Sequence, residues 1–168
     1  MCRDTDYWDE VSNIIDCSAL ILISFLRQEP LVVAYYDVDY VKNIKGTNYW
    51  RNRVLKVAKD QAGYNFAVSN KDDFQHELGE FGLDFVAGDK PAVTARAGGL
   101  KYKMEAEFSV DNLKAFVEEL KAGNLEAYIK SEAVPDSQGD VKVAVARNFE
   151  ELVTKSEKDV LVEFYAPW

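Results

Sequence analysis

The sequence is poor in the residues that most often carry out catalysis or bind metals. Its 168 residues include two cysteines, Cys2 and Cys17, and a single histidine, His76. The cysteines form no Cys-x-x-Cys pair and have no histidine cluster beside them, so we expect neither a metal site nor a cofactor. We expect His76 to be a surface residue of a helix, because nothing near it suggests a catalytic triad.

Positive charge and long apolar runs are also scarce. Lys and Arg number 20 against 29 Asp and Glu, which gives a formal net charge of -9. Nucleic acid is therefore not expected as a partner, because phosphate binding needs a basic surface. The most hydrophobic stretch, residues 18–26, is shorter than the roughly 20 residues that a transmembrane helix needs, so no membrane insertion is expected.

Residues 1–29 do not fit the pattern of the rest of the chain. The apolar run within them follows acidic rather than basic residues, and no small-residue cleavage site comes after it, so a signal peptide is not expected. A buried strand or a short helix that caps the sheet is the preferred interpretation of this run. A segment joined to a true domain by an error in the gene model is the alternative.

Strand and helix patterns alternate from Pro30 onward. Residues 31–36 (LVVAYY) form an uninterrupted β-branched and aromatic run, which is typical of a buried central strand. A polar loop over 37–48, a helix over 49–61 and a strand over 64–68 are predicted next. The strand–helix–strand order predicts a parallel pair of strands joined by a right-handed crossover.

The following elements complete an α/β fold. The predicted elements are a helix with apolar residues Phe74, Leu78 and Phe81, a hairpin of strands 91–95 and 101–108 that turns at Gly98 and Gly99, and a helix that Ser109 caps and Gly123 ends. This order is that of a thioredoxin-like mixed sheet with helices on both faces. A first strand–helix unit is not readable in the sequence.

A second unit is predicted after a polar segment. Residues 131–140 contain Pro135 and Gly139 and are predicted to be a linker. Residues 141–146 and 160–165 are predicted strands. Asn148 and Glu151 are predicted to form the capping pair that opens a short helix between them.

Three stretches resemble the protein disulfide isomerase family. Residues 159–168 (DVLVEFYAPW) resemble the stretch that precedes the redox motif of its catalytic domains. Residues 31–59 (LVVAYYDVDYVKNIKGTNYWRNRVLKVAK) resemble the second non-catalytic domain of the isomerases that work with the lectin chaperones calnexin and calreticulin. Residues 109–135 (SVDNLKAFVEELKAGNLEAYIKSEAVP) resemble the junction of those proteins into their second catalytic domain.

The resemblance implies a domain organisation and a lack of redox chemistry. It implies an unmatched segment 1–29, a non-catalytic thioredoxin-like domain 30–130, a linker 131–140 and, over 141–168, the incomplete start of a catalytic thioredoxin-like unit. In the family the Cys-Gly-His-Cys motif follows the Ala-Pro-Trp sequence, but here Trp168 is the last residue. We therefore expect no catalytic residue and a redox-inactive chain. A truncated form of an active thiol–disulfide isomerase is the alternative.

The resemblance also predicts the conformation of the peptide bond before Pro91. Thioredoxin-like folds carry a structural cis-proline at the start of the strand that faces the active site. Because the cis form is inexpensive only before proline, we expect the Lys90–Pro91 bond to be cis. A trans proline of an edge strand is the alternative.

A local basic segment interrupts the acidic composition, because no acidic residue occurs between positions 41 and 59. Such a patch on an acidic protein attracts acidic partners. Aromatic residues beside arginines are common in binding hot spots. A solvated helix face is the alternative, and the helical phase of Trp50 favours a place in the core for it. The basic residues are Lys42, Lys45, Arg51, Arg53, Lys56 and Lys59, and the predicted partner-binding residues are Lys45, Tyr49, Trp50, Arg51, Arg53 and Lys56.

The resemblance also implies partners and a location. In the resembled family this region docks the acidic tip of the lectin chaperones' arm, and Lys45 and Arg53 fall on the positions that make charge contacts. The implied partners are calnexin- or calreticulin-like lectin chaperones and unfolded glycoprotein clients. The implied location is the endoplasmic reticulum lumen, although neither a signal peptide nor a C-terminal retention signal is recognisable.

Two further classes stay open. One is an acidic calcium-binding protein of the calsequestrin type, which would need clustered carboxylates as oxygen ligands. The other is a chain that is not a stable product, because the predicted strands of the second unit would expose apolar edges.

Overall fold

The computed structural model describes residues 14–17, 29–83 and 90–164 of the chain. The chain divides into two compact units between Tyr128 and Ile129. No helix in the described part is long and apolar enough to cross a membrane.

The first unit is built on a mixed sheet, which has five strands over the residues that the structure describes. In the sheet the strands follow the order β1-β3-β2-β4-β5. β1, β3 and β2 run parallel, β4 pairs antiparallel with β2, and β5 pairs antiparallel with β4. The predicted thioredoxin-like mixed sheet is confirmed. The strands are β1 (Ile14–Cys17), β2 (Leu31–Tyr36), β3 (Asn65–Asn70), β4 (Ala92–Ala97) and β5 (Leu100–Lys103).

β2 is the buried centre of this sheet. It pairs in parallel with β3 from Leu31↔Asn65 to Tyr36↔Asn70, and β4 pairs with its other edge. All six side chains of β2 are buried, alternately on the two faces of the sheet. The predicted central strand and its parallel partner are therefore confirmed.

Helices cover both faces of the sheet, as predicted. Helix α1 (Ile44–Ala58) and helix α3 (Val110–Ala122) contribute to the larger core cluster, together with Val32, Ala34 and Tyr36 of β2. On the other face, a 3-10 turn (Lys71–Phe74) and helix α2 (Gln75–Glu80) supply Phe74 and Leu78. The apolar periodicity of these segments thus matches the side on which each helix packs.

α1 begins five residues before its predicted start at Tyr49. Asn43 is its N-cap, and the Asn43 Oδ1 atom accepts a hydrogen bond from the Gly46 backbone N–H at 3.0 Å. The predicted loop over 37–48 was therefore too long. Glycine has a weak helix propensity and therefore favours a loop at position 46, but the Asn43 cap offsets this effect.

The last helix and the strand before it differ in how well they were predicted. α3 is confirmed: the Ser109 Oγ accepts a hydrogen bond from the Asn112 N–H at 3.0 Å, and Gly123 ends the helix with φ 70°.

β5 is shorter than predicted, because it ends at Lys103 instead of Phe108. Because β4 begins at Ala92, after a proline that has no N–H to donate, residues beyond about 105 have no strand opposite them.

The predicted cis bond before Pro91 is wrong. The cis peptide bond of the described residues is Glu29–Pro30, and Lys90–Pro91 is trans. Pro91 is buried and directly precedes β4. The extended path into β4 is compatible with the trans isomer, which X-Pro bonds favour.

The segment 1–29 contributes a strand that the sequence did not reveal. β1 lies within it and pairs with β3 from Ile14↔Phe66 to Cys17↔Ser69. The apolar run 18–26, interpreted as a buried strand or a capping helix, lies outside the described residues.

In the second unit the described residues, 129–164, contain no β-strand. The predicted strands 141–146 and 160–165 are therefore wrong over the residues that the structure describes, 141–146 and 160–164. A strand exists only with a hydrogen-bonded neighbour, and Val141 and Leu161 are 87% and 97% exposed. A short π-helical turn (Glu150–Thr154) lies between these segments.

The predicted capping pair of the second unit is wrong as well. The Asn148 side chain bonds backwards, accepting from the Val145 N–H at 2.7 Å and donating to the Val143 carbonyl at 3.2 Å. It is therefore not free to cap the turn that follows.

Asn43→Ala tests the cap that starts α1. Loss of the side-chain acceptor should lower the free energy of unfolding by about 1 kcal/mol, as measured by urea denaturation. Asn52→Ala, at an exposed position inside the same helix, is the matched control and should change the stability by no more than about 0.5 kcal/mol. Equal effects of the two changes would argue against the cap.

Tyr35→Phe tests the effect of burying a titratable group in β2. Burial raises the pKa of the Tyr35 hydroxyl above its ordinary value of 10.0, and the charge of Glu77 adds to this shift. The folded state therefore keeps a proton that the unfolded state releases, so stability should fall as pH rises past about 10. The free energy of unfolding of Tyr35→Phe should fall less than that of the parent between about pH 9 and 11. Parallel losses in both proteins would contradict this.

Candidate partner-binding site

The loop before α1 is fastened to the first turn of the helix. The Asp39 carboxylate accepts backbone hydrogen bonds from Val41 and Lys42, both at 2.8 Å. These bonds hold the pKa of Asp39 below its usual range, that from Lys42 contributing most. The Thr47 hydroxyl accepts from the Asp39 N–H at 2.9 Å and donates to the Asp39 carbonyl at 3.1 Å. The loop therefore has a defined position relative to α1.

One side of α1 is fixed against the sheet. Thr47, Val54, Val57 and Ala58 are its buried residues, and the Tyr36 hydroxyl donates to the Thr47 carbonyl at 3.1 Å. The opposite side must consequently face solvent.

Four of the six predicted binding residues share that outward side. At 100° per residue, Lys45, Tyr49, Arg53 and Lys56 lie within an arc of about 80°. Arg53 is half-buried and the other three are exposed. These four residues are called the basic face below.

The other two predicted residues lie elsewhere on the helix. Trp50 is half-buried, and its ring meets the Phe108 ring edge-on at 5.5 Å between centroids. It packs against the larger core cluster, in agreement with its helical phase. Arg51 is half-buried and about 160° around the helix from Tyr49. The structure therefore does not group these two side chains with the basic face.

Arg53 is held in place by its neighbours on α1. Its guanidinium carbon lies 3.4 Å from the centroid of the Tyr49 ring and 5.9 Å from that of Trp50. Its Nη1 atom donates to the Tyr49 carbonyl oxygen at 3.1 Å. The Tyr49 ring meets the Trp50 ring edge-on at 4.7 Å. A chain of aromatic contacts therefore connects Arg53 to the core.

The charge of the basic face is not neutralised by the described residues. Within 29–83 and 90–164, none of Lys45, Arg53 and Lys56 forms an ion pair with a carboxylate. Lys45 also lies in the first turn of α1, where the helix dipole disfavours positive charge and no acidic residue compensates. This surface can therefore attract carboxylates through space.

Two exposed apolar residues near the start of α1 were not predicted from the sequence. Val41 is 86% exposed and Ile44 is 51% exposed, at the loop and the first position of α1. The sequence had assigned both to a polar loop. The Asn43 cap was the local signal that could have placed them.

Potential metal and redox residues are not grouped in the described part. No set of three or more His, Cys, Asp or Glu residues there could hold a metal ion. Cys17 lies on β1, and Cys2 falls outside the described residues. His76 is on α2 with its side chain 94% exposed, 4.0 Å from Glu80.

Comparison with known proteins places the chain among protein disulfide isomerases. It is 52% identical to chicken protein disulfide-isomerase A3 over 151 residues, which cover 85% of this chain and 30% of that protein. It is 44% identical to bovine protein disulfide-isomerase A4 over 144 residues, which cover 84% of this chain and 22% of that protein. The chain thus spans less than a third of the length of these relatives.

A solved structure and a family match agree with this result. The crystal structure of the bb fragment of ERp72 is similar with a TM-score of 0.62 and 34% identity, over 68% of this chain and 51% of that chain. The thioredoxin-like domain family matches residues 25–119, which include five residues of the segment left unassigned from the sequence. The chain therefore belongs to the thioredoxin-like family, and within it to the protein disulfide isomerases.

Proposed function

We propose that the first unit is a redox-inactive binding module that holds an acidic segment of a partner protein on its basic face. The observation that carries this proposal is that Lys45, Arg53 and Lys56 share the outward side of α1 with the exposed Tyr49, whose ring lies against the Arg53 guanidinium, while the other side of the helix is buried.

The arrangement of charges favours binding over an ordinary solvated face. Basic residues elsewhere in the first unit, such as Lys71, Arg96 and Lys101, form ion pairs with Asp37, Glu77 and Glu80. On α1, in contrast, the residues between 41 and 59 include no acid. A net charge of -9 repels other copies of the chain, while the basic face locally attracts a negatively charged partner.

The acidic partner is proposed to be the arm of a calnexin- or calreticulin-like lectin chaperone, with unfolded glycoproteins as clients in the endoplasmic reticulum lumen. Similarity to protein disulfide-isomerases A3 and A4 supports the endoplasmic reticulum as the location. The position of Lys45 and Arg53 on one helix face suits a single extended acidic segment.

The module is proposed to act without thiol chemistry. Disulfide exchange needs a reactive thiolate and a second thiol that resolves the mixed disulfide. The cysteines of this sequence are fifteen positions apart, at Cys2 and Cys17, and no Cys-x-x-Cys motif occurs. Binding and positioning of a client are functions that need no such pair.

Charge reversal on the basic face tests the binding proposal. Lys45→Glu combined with Arg53→Glu should weaken binding of a fluorescein-labelled acidic arm segment of calreticulin by at least about tenfold at low salt, because two attractive contacts become repulsive. The dependence of the dissociation constant on salt should also become shallower. Fluorescence anisotropy at several salt concentrations measures both quantities.

The matched control is Lys142→Glu with Arg147→Glu, which changes the net charge equally at exposed positions of the second unit. This control should bind almost as tightly as the parent. The site assignment is wrong if the α1 variant keeps the parent affinity at low salt, or if both variants lose it equally.

Redox inactivity is tested with an insulin-reduction assay under excess dithiothreitol. The chain should give no acceleration over the uncatalysed rate, since it has no vicinal thiol pair. Turnover that disappears in Cys2→Ser or Cys17→Ser would overturn the redox part of the proposal and leave the binding part intact.

A further inference from the structure

We infer that the cleft between the end of α1 and the start of α3 binds a small zwitterion, and that its class of ligand is a free α-amino acid with an aliphatic side chain. The inference does not rest on the proposed function, with which it shares only Lys56.

The cleft has the size of one small molecule. Its volume is about 220 Å³, and it is lined by the last turn of α1, the residues after that turn and the first two turns of α3. Since liquid water occupies about 30 Å³ per molecule, this space corresponds to roughly seven waters. Clefts for drug-sized ligands begin at about 300 Å³, so a ligand of amino-acid size is the better fit.

The floor of the cleft is apolar except for one amide. Val57 and Gln61 are only 3% and 4% exposed, and Val110 is half-buried. The Gln61 Oε1 atom accepts a hydrogen bond from the Lys121 Nζ atom. Among the described residues the Gln61 Nε2 group donates to no acceptor. Because a buried donor without an acceptor is unfavourable, this amide can gain from a ligand that accepts its N–H.

The rim of the cleft carries two charges of each sign. Lys56 and Asp60 come from the end of α1, Asp111 and Lys114 come from α3, and all four are exposed. The spacings of four and three residues bring an acid near a base on each side. Within 29–83 and 90–164, however, these acids and bases form no ion pair with one another, and Lys114 pairs at 3.9 Å with Glu118, which does not line the cleft. Both signs of charge are therefore left for a ligand.

A zwitterion satisfies such a rim better than an ion of one sign. A lone carboxylate or a lone ammonium group meets two repulsive charges for every two attractive ones. A molecule with both groups can place its carboxylate beside the lysines and its ammonium group beside the aspartates. An aliphatic side chain between the two groups covers the valines of the floor.

The two helix ends favour one orientation of the ligand. The Ser109 cap serves the Asn112 N–H, and the N–H groups before it have no acceptor inside α3, so this end attracts a carboxylate. The end of α1 carries the negative pole of that helix and attracts an ammonium group. The ligand carboxylate is therefore directed toward Lys114 and the Gln61 amide, and its ammonium group toward Asp60.

The experiment compares L-valine with the molecules that result from removing one of its groups. Isovalerate lacks the ammonium group and isobutylamine lacks the carboxylate, whereas glycine keeps both charges and lacks the branched side chain. Each probe is titrated into the isotope-labelled full chain at neutral pH and constant ionic strength. Heteronuclear NMR follows the Gln61 side-chain amide and the backbone N–H groups of Val110 and Asp111.

L-valine should shift these resonances in a saturable manner. Its dissociation constant should be at least about tenfold lower than those of isovalerate and isobutylamine, because each of these loses one charged contact and keeps the repulsion. Glycine should also bind about tenfold more weakly than L-valine, because it leaves the valines of the floor uncovered.

Charge variants should change the order of the probes. In Asp60→Asn combined with Asp111→Asn the rim is purely basic, so isovalerate should bind more tightly than L-valine. Lys114→Gln should instead improve the binding of isobutylamine relative to L-valine. The matched control is Asp136→Asn with Asp140→Asn, which changes the net charge equally at exposed positions of the second unit and should keep the order of the parent. Circular dichroism checks that each variant is folded.

Three results would overturn the inference. The first is that isovalerate or isobutylamine binds the parent as tightly as L-valine, and the second is that no probe causes saturable shifts at these residues. The third is that the double Asn variant of the rim and its control respond alike, since amino acids would then act only as general osmolytes. None of these results bears on the acidic partner, which is tested with other variants.

Discussion

The parallel pairing of β2 with β3 is the contact on which the rest of the first unit depends. It places six consecutive apolar or aromatic residues of β2 in the middle of the sheet, where both faces must be covered. A parallel pair also requires a crossover, and α1 is that connection. The position of α1 against the sheet is thus a consequence of how β2 is buried.

The basic face follows from the same constraint. Because Val54 and Val57 are buried in the core, the residues on the opposite side of α1 face solvent. Trp50 occupies the boundary and links the exposed Tyr49 ring to the buried Phe108. A surface built in this way is rigid, because the elements that present it also hold the fold together.

The sequence predicted correctly those elements whose pattern is complete within a short stretch of the chain. The uninterrupted run of β2 and the Ser109 cap and Gly123 end of α3 needed no information from elsewhere in the chain. The start of α1 was predicted too late in the chain because Gly46 favours a loop, whereas the Asn43 cap extends the helix back to Ile44. The strands expected over 141–146 and 160–165 failed for a different reason: their pattern is correct, but pairing is a non-local property that a pattern does not supply.

The sequence by itself determined the sign and place of the charge: six basic residues and no acid between positions 41 and 59 of an otherwise acidic chain. It also determined the central strand β2, whose uninterrupted apolar run is a local signal. The tertiary structure alone decided that the face carrying Lys45, Tyr49, Arg53 and Lys56 points outward and that Arg53 lies on the Tyr49 ring. The reason is that the packing of α1 on the sheet sets its rotation, and that rotation depends on residues far away in the chain.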